Sequence, residues 1–418
     1  MKLTLIGTSV LATTLIAAAV WAGSPSAVAN AGHNAQPAEV EGKFRLLRVA
    51  IPSSGRVGDL LRKNAKISSG FEVIDRRSMG ALARQTRFDP KGWSALGADL
   101  VVLADASGAQ IKVRMYELSK GARPVLSRGY PKDELKAANK FMNEMINYYT
   151  GQPGVFGSRV AFVRTQRKPM ISKNVQSVEM NGEAPAAITN NRSLNILPSI
   201  GPGGQVLFTS YAKRNPDLWV TSGGGPKRIS KYPGLNLGGV MSPDGGTVAV
   251  ALSKDGNSEI YILDLSGGVK ARLTNNAAID GSPTFSSGGQ IAFVSSRAGG
   301  PQIFRMSAAG GRATRVTRKG RYNQSPDWSQ GKGQGQWIAY SGRDSSNRYD
   351  IFKVNIQTGQ VARLTQTPGR NLDPSWSPDG RLISYYRDGG VYIANKDGNN
   401  QVQIVKGATT PDWGPRAY

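Results

Sequence analysis

Apolar and polar positions along this chain follow two different rhythms. Between residues 44 and 151 strand-like runs alternate with helical stripes. "FRLLRVAI" (44–51) predicts a strand, and "VGDLLRKNAKI" (57–67) places Val57, Leu60, Leu61 and Ala65 on one helical face. "GFEVIDR" (70–76), "ADLVVLADA" (98–106) and the alternating "IKVRMYEL" (111–118) predict three more strands, while "SMGALARQ" (78–85) and "KGWSALG" (91–97) predict short helices. A longer helix over 133–151 would bury Leu135, Ala138, Met142, Met145, Ile146 and Tyr149 and stop at Gly151. Residues 44–150 therefore predict one small α/β domain.

After "GQPG" (151–154) the helical period ends and a repeat begins. Its marker is a turn preceded by a large residue: "PSIGPGG" (198–204), "GVMSPDG" (239–245), "PTFSSGG" (283–289), "PDWSQGK" (326–332), "PSWSPDG" (374–380) and a final "PDWGP" (411–415). Proline, Asp and Gly fit successive turn positions. Two strands follow each of the first five turns, and each unit closes with a basic-plus-apolar strand such as "KARLT", "ATRVT" or "VARLT". Spacings of about 37 to 48 residues with four short strands per unit are the signature of a β-propeller. The sixth turn has no strands after it. "SRVAFVRT" (158–165), "SVEMNG" (177–182) and "APAAIT" (184–189) supply them, so the last strand should join the first ones. The expected fold is an α/β N-terminal domain plus an all-β six-bladed propeller, 155–418, closed by the C-terminal strand, which leaves no open sheet edge.

Strand alternation sorts the repeat into two columns. Ile200, Met241, Phe285, Trp328, Trp376 and Trp413 should pack between blades. Ser199, Val240, Thr284, Asp327, Ser375 and Asp412 should face a narrow channel. Asp327 and Asp412 could hold a cation or receive an arginine from a partner; hydrogen bonding to nearby backbone and water is the expectation. The segments leading into the inner strands should gather at one mouth. They contribute Asn195, Asn236, Gly238, Asp280, Ser282, Asn323, Gln324, Asn371 and Asp373 as a candidate protein-binding rim. Turn capping accounts for the same Asn and Asp residues.

Composition narrows the chemistry. The 418 residues contain no Cys and one His, His33, in a polar segment (30–43) expected to be flexible. Cysteine nucleophiles, disulfides and thiolate metal sites are excluded, and a histidine-based triad or zinc site has no residues in the folded part. No P-loop is present, and Gly331, Gly333 and Gly335 fall in an insertion between strands. The formal charge is +25, with 20 Lys/Arg against 11 Asp/Glu in residues 41–150 and 32 against 16 in residues 151–418. Such a surface favours anionic partners. At the N-terminus Lys2, an apolar run over 3–22 and Ala27-Val28-Ala29 form a cleavable export signal, residues 1–29. An uncleaved anchor is the alternative.

The quoted repeats, together with "SSGFEVIDR" (68–76), "GWSALGADLVV" (92–102), "FGSRVAFV" (156–163), "SKDGNSEIYILDLSGG" (253–268) and "SSRAGGPQIFRMSAAGG" (295–311), resemble the TolB family, the periplasmic component of the Tol–Pal system. The resemblance implies a non-enzymatic, cofactor-free, monomeric periplasmic scaffold whose propeller binds the lipoprotein Pal at one mouth. It implies a role in outer-membrane integrity and cell division, contact with TolA through the mature N-terminus, and exploitation by bacteriocins. Residues 30–43, "NAGHNAQPAEVEGK", depart from the β-prone, TolA-binding start of the family. Two other readings, an exported propeller hydrolase or lyase and an envelope polyanion binder, predict paired carboxylates at a mouth and salt-labile binding respectively. No specific nucleic-acid partner is expected.

Overall fold

The computed structural model describes residues 39–40, 43–44, 46–85, 88–167, 170–331, 335–343 and 346–416. The export-signal assignment and His33 lie outside them. The chain divides into two compact units that meet in sequence between Gly157 and Ser158.

The first unit is built on a five-stranded mixed sheet, in the order Phe71–Val73, Leu47–Ala50, Leu100–Asp105, Ile111–Glu117, Leu126–Tyr130. The first three strands are parallel and the others antiparallel. Its helices are Gly55–Ser68, the short Pro90–Ala95 and Glu134–Thr150. The last starts at Asp133, which accepts from the Lys136 N–H, and ends at Gly151 with φ 68°. The first and last helices meet through a buried Asn64–Asn139 hydrogen bond of 2.9 Å. Trp93 of "GWSALG" packs with Ile74, Met79, Val101 and Tyr116. Three details differ from the sequence expectation. Phe141 belongs to the buried stripe of the last helix, whereas Leu135, Ile146 and Tyr149 are only half-buried. Leu126–Tyr130 is an edge strand with an exposed middle, so it carries no apolar alternation. Within the supposedly flexible 30–43 segment, Glu39–Val40 pairs with Lys43–Phe44.

The second unit comprises six four-stranded antiparallel sheets. Blades 1 to 5 begin with the inner strands Asn195–Ile200, Asn236–Met241, Asp280–Phe285, Asn323–Trp328 and Asn371–Trp376. Blade 6 joins both ends of the unit: its inner strand Ala408–Arg416 pairs with Ser158–Gln166, followed by Ser172–Glu179 and Ala186–Ala187. Trp413 lies opposite Val160, and Asp412 opposite Ala161. The Trp413 indole N–H donates to Ser158 Oγ at 2.8 Å, across a sequence separation of 255 residues. The middle strand of blade 6 is Ser172–Glu179 rather than 177–182, because Asn181 and Gly182, with φ 80°, form the turn after it.

Apolar side chains fill the seams between blades. Phe285 joins Ala249, Ile260 and Ile262 of blade 2. Trp328 packs with Ala292 and Ile303 of blade 3, and Trp376 with Ala339 and Ile351 of blade 4. Adjacent blades approach closely at their outer turns. A Cβ on Gly267 would sit 1.6 Å from the Ile229 carbonyl oxygen of blade 1, and φ there is 95°. Glycine is required at that point both for space and for backbone conformation.

Candidate functional site: the channel and its two mouths

Each inner strand runs from one mouth of the ring to the other. The mouth where the strands start is here the asparagine mouth, and the one where they end the turn mouth. Every inner strand carries an extra residue relative to its partner near its start, a β-bulge, and Ala408–Arg416 carries a second after Trp413. The third residue of each is left-handed: Leu197, Gly238, Ser282, Ser325, Asp373 and Thr410 have φ between 47° and 62°. Five of the six are not glycine, at a cost on the order of 1 kcal/mol or more each. Proline follows in five blades, tolerated because a bulge interrupts the ladder. The candidate rim is therefore part of the inner strands, and the bulge re-aims the side chains that follow it.

Those side chains reach the channel. Ser199, Val240, Thr284, Asp327, Ser375 and Asp412 line a cavity of about 360 Å3 with the large residues beside them. They also tie the ring together. Thr284 Oγ1 accepts from the Trp328 N–H at 3.3 Å, Asp327 Oδ2 from the Trp376 N–H at 2.6 Å, Ser375 Oγ from the Trp413 N–H at 2.9 Å, and Asp412 Oδ2 from the Ile200 N–H at 2.7 Å. Each bond crosses from one blade to the next. Four of the six seams are thus stitched by a channel residue holding the amide of its neighbour's large residue. Loss of solvation pushes Asp327 up to about 6. Burial, reinforced by the nearby Asp327 charge, pushes Asp412 up to about 7. Among the described residues no group of three or more His, Cys, Asp or Glu is arranged to hold a metal ion.

The Asn and Asp residues that open the inner strands lie below the surface. Asn195, Asn236, Asp280 and Asn371 are fully buried and Asn323 is 1% exposed. Asn195 donates to the Lys173 carbonyl and Asn191 Oδ1, both at 2.8 Å, and accepts from Ser210 Oγ. Asn236 donates to the Tyr232 carbonyl and accepts from Ser230 Oγ. Asp280 accepts from Arg297 and Asn276. Asn323 donates to Gln302 Oε1 at 2.8 Å, and Asn371 to Asp350 Oδ1 at 3.0 Å. In blades 4 and 5 the bond reaches back to a polar residue on the preceding blade's third strand. An amide suits this place because it donates and accepts at once. Ser282 is exposed, whereas Gly238, Gln324 and Asp373 are half-buried; Asp373 accepts from Ser325 Oγ at 2.8 Å.

One recurring device escaped the sequence reading. The closing strands end at Arg272, Arg315 and Arg363, and the runs "RLT", "RVT" and "RLT" continue to Thr274, Thr317 and Thr365. Each threonine hydroxyl accepts, at 2.9 Å, from a buried third-strand amide: Ile260, Ile303 and Ile351. The Arg two residues earlier donates to that threonine's own carbonyl. Arg363 also pairs with the buried Asp350. The Arg-x-Thr spacing carried the signal.

The two mouths differ in charge. On the turn mouth, Asp244 accepts from Ser242 and the Gly246 amide, Asp379 pairs with Arg381, and Asp397 pairs with Lys396. On the asparagine mouth, Arg192, Arg214, Lys231, Arg318, Lys319 and Arg321 are exposed and have no carboxylate partner among the described residues.

These features define a class: a closed six-bladed propeller whose channel carboxylates serve the seams, preceded by a small α/β unit. The model for the "TolB beta propeller domain" matches residues 146–417. The chain is 34% identical to "Tol-Pal system protein TolB" of Anaeromyxobacter sp. (strain K) over 437 aligned positions, covering 96% of this chain and 98% of that one. The corresponding protein of Anaeromyxobacter dehalogenans (strain 2CP-1) is also 34% identical, with 90% and 92% covered. The likeness to the Desulfosudis oleivorans TolB, 34%, spans 52% of either chain. The crystal structure of TolB from Acinetobacter baumannii superposes with a TM-score of 0.75 at 25% identity, over 88% of this chain and 96% of that one. The chain belongs to the TolB family.

Proposed function

We propose that this chain is the non-enzymatic propeller component of a Tol–Pal system. It is exported to the periplasm by a cleaved signal and acts there as a monomer. Its propeller binds a Pal-type peptidoglycan-associated lipoprotein at the asparagine mouth, supporting outer-membrane integrity and division. Family membership across nearly the whole chain is the observation that carries this reading. The buried asparagines support it indirectly. They anchor the connections of this mouth, through the Lys173, Tyr232 and Lys319 carbonyls, and so support its exposed parts, Ser282, Gln324 and the neighbouring connections, as a rim. TolA and bacteriocins are further partners of the same reading.

The test is affinity capture from a detergent-solubilised envelope extract with the full mature chain. Enrichment of a lipoprotein bearing a peptidoglycan-binding domain is expected. A folded, recovered chain that enriches none would contradict the proposal.

A further inference from the structure

The asparagine mouth has a character that nothing in the ring's architecture requires. Its surface is built from the connections between second and third strands and those between successive blades. The connection 316–322 alone carries Arg318, Lys319 and Arg321 with no acidic residue. Arg192, Arg214 and Lys231 extend this charge around blades 6, 1 and 2. The same side holds apolar side chains in water: Ile171 at 65%, Met170 at 51%, Ile279 at 65% and Leu235 at 38% exposure. Leu235 and Ile279 each directly precede the first residue of an inner strand, on neighbouring blades 2 and 3.

The turn mouth is more mixed: Lys270 and Arg312 are exposed there, as are the apolar Leu265 (47%) and Val269 (41%), but scattered among acidic residues. Its connections hold Glu183, Asp244, Asp264, Asp379 and Asp397. Two of its cations, Arg381 and Lys396, are occupied by adjacent aspartates at 2.5 and 2.7 Å. Positive charge is therefore not spread evenly over this basic molecule. It is most concentrated in the connection 316–322, on the side that also exposes Leu235 and Ile279. Clustered like charges repel one another and exposed aliphatics gain nothing from water, so the combination is disfavoured in the isolated protein. A single complementary surface resolves both.

We infer that the partner of the asparagine mouth presents an acidic protein segment with apolar residues at its centre, which settle on Leu235 and Ile279 while carboxylates meet Arg318, Lys319 and Arg321. This rests on the proposed function in placing the partner at that mouth, and adds the partner's chemistry. Charge would speed and orient docking, and the apolar contact would hold the complex.

The experiment uses the full mature chain and a fluorescein-labelled 12-residue peptide of glutamates around two central leucines. Glutamine and lysine analogues and phosphatidylglycerol vesicles serve as comparison probes. Binding of the glutamate peptide should weaken as salt rises. R318E/R321E should weaken it about tenfold or more. K270E/R312E, on the turn-mouth side and with the same change in net charge, should weaken it less than about twofold. L235S/I279S should cost several-fold while leaving the salt dependence unchanged. Equal losses in the two charge variants would overturn the inference, as would equal binding of the glutamine analogue or binding to vesicles without binding to the glutamate peptide. Lipoprotein capture from the envelope extract separates the two proposals. Wild-type capture that R318E/R321E does not reduce would defeat the inference and leave the function standing. A selective peptide result without lipoprotein capture would do the opposite.

Discussion

The two mouths of the propeller are made from similar residues used in opposite ways. At the turn mouth, Asp244 and Asp379 are visible at the surface but spent on their own turns. At the asparagine mouth, Asn195, Asn236, Asp280, Asn323 and Asn371 are hidden and spent on hydrogen bonds within the framework. Above that framework the second mouth carries a cluster of cations within the connection 316–322, together with exposed Leu235 and Ile279. A ring of polar residues is thus poor testimony to binding by itself. What matters is which groups the fold has left without partners.

The largest effect should come from opening the ring, which removes both mouths. Trp413 is 6% exposed, pairs with Val160 and holds Ser158. W413A should cost about 3–5 kcal/mol, the usual cost of truncating a buried Trp to Ala. Chemical denaturation monitored by tryptophan fluorescence measures it; a loss below ~1 kcal/mol would mean that the seam is not where the propeller is held.

Next in size, N371A should cost about 1–3 kcal/mol, because it leaves the buried Asp350 carboxylate short of a donor. Partner affinity per folded molecule should stay unchanged. A variant that keeps full stability but loses binding would move Asn371 back to the contact surface.

The channel predicts a pH dependence. Burial raises the folded-state Asp412 to about 7, well above the usual aspartate range, so the folded protein holds a proton that the unfolded chain releases. That contribution to stability is greatest at acidic pH and declines as pH rises through about 7. D412N cannot titrate. Its melting temperature relative to wild type should climb from pH 5 to pH 8; a constant difference would remove the desolvated carboxyl from the account. The smallest effect belongs to S282A, an exposed residue, expected within about 0.5 kcal/mol of wild type in the same unfolding experiment.

Much of this architecture was legible in the sequence because the repeat is covalent and local. Six turns at a near-constant spacing counted the blades, and the orphaned "PDWGP" pointed to the pairing of Trp413 with Val160. The bulges were hidden because only Gly238 announces a left-handed residue; Leu197, Ser282, Ser325, Asp373 and Thr410 do not. The burial of Asn323 and Asn371 was hidden for a different reason. Their partners Gln302 and Asp350 lie 21 residues earlier, on another blade. Capping and seam latching use the same residue type, and sequence alone does not choose between them. Nor could +25 be divided between mouths until strand direction was known.

The most direct test is a hydrogen-exchange footprint of the full chain with and without the captured lipoprotein. The account predicts slowed exchange over 231–237, 316–324 and 364–372, with 242–247 and 377–381 unchanged. Protection confined to the latter two segments would place the partner on the turn mouth and contradict it.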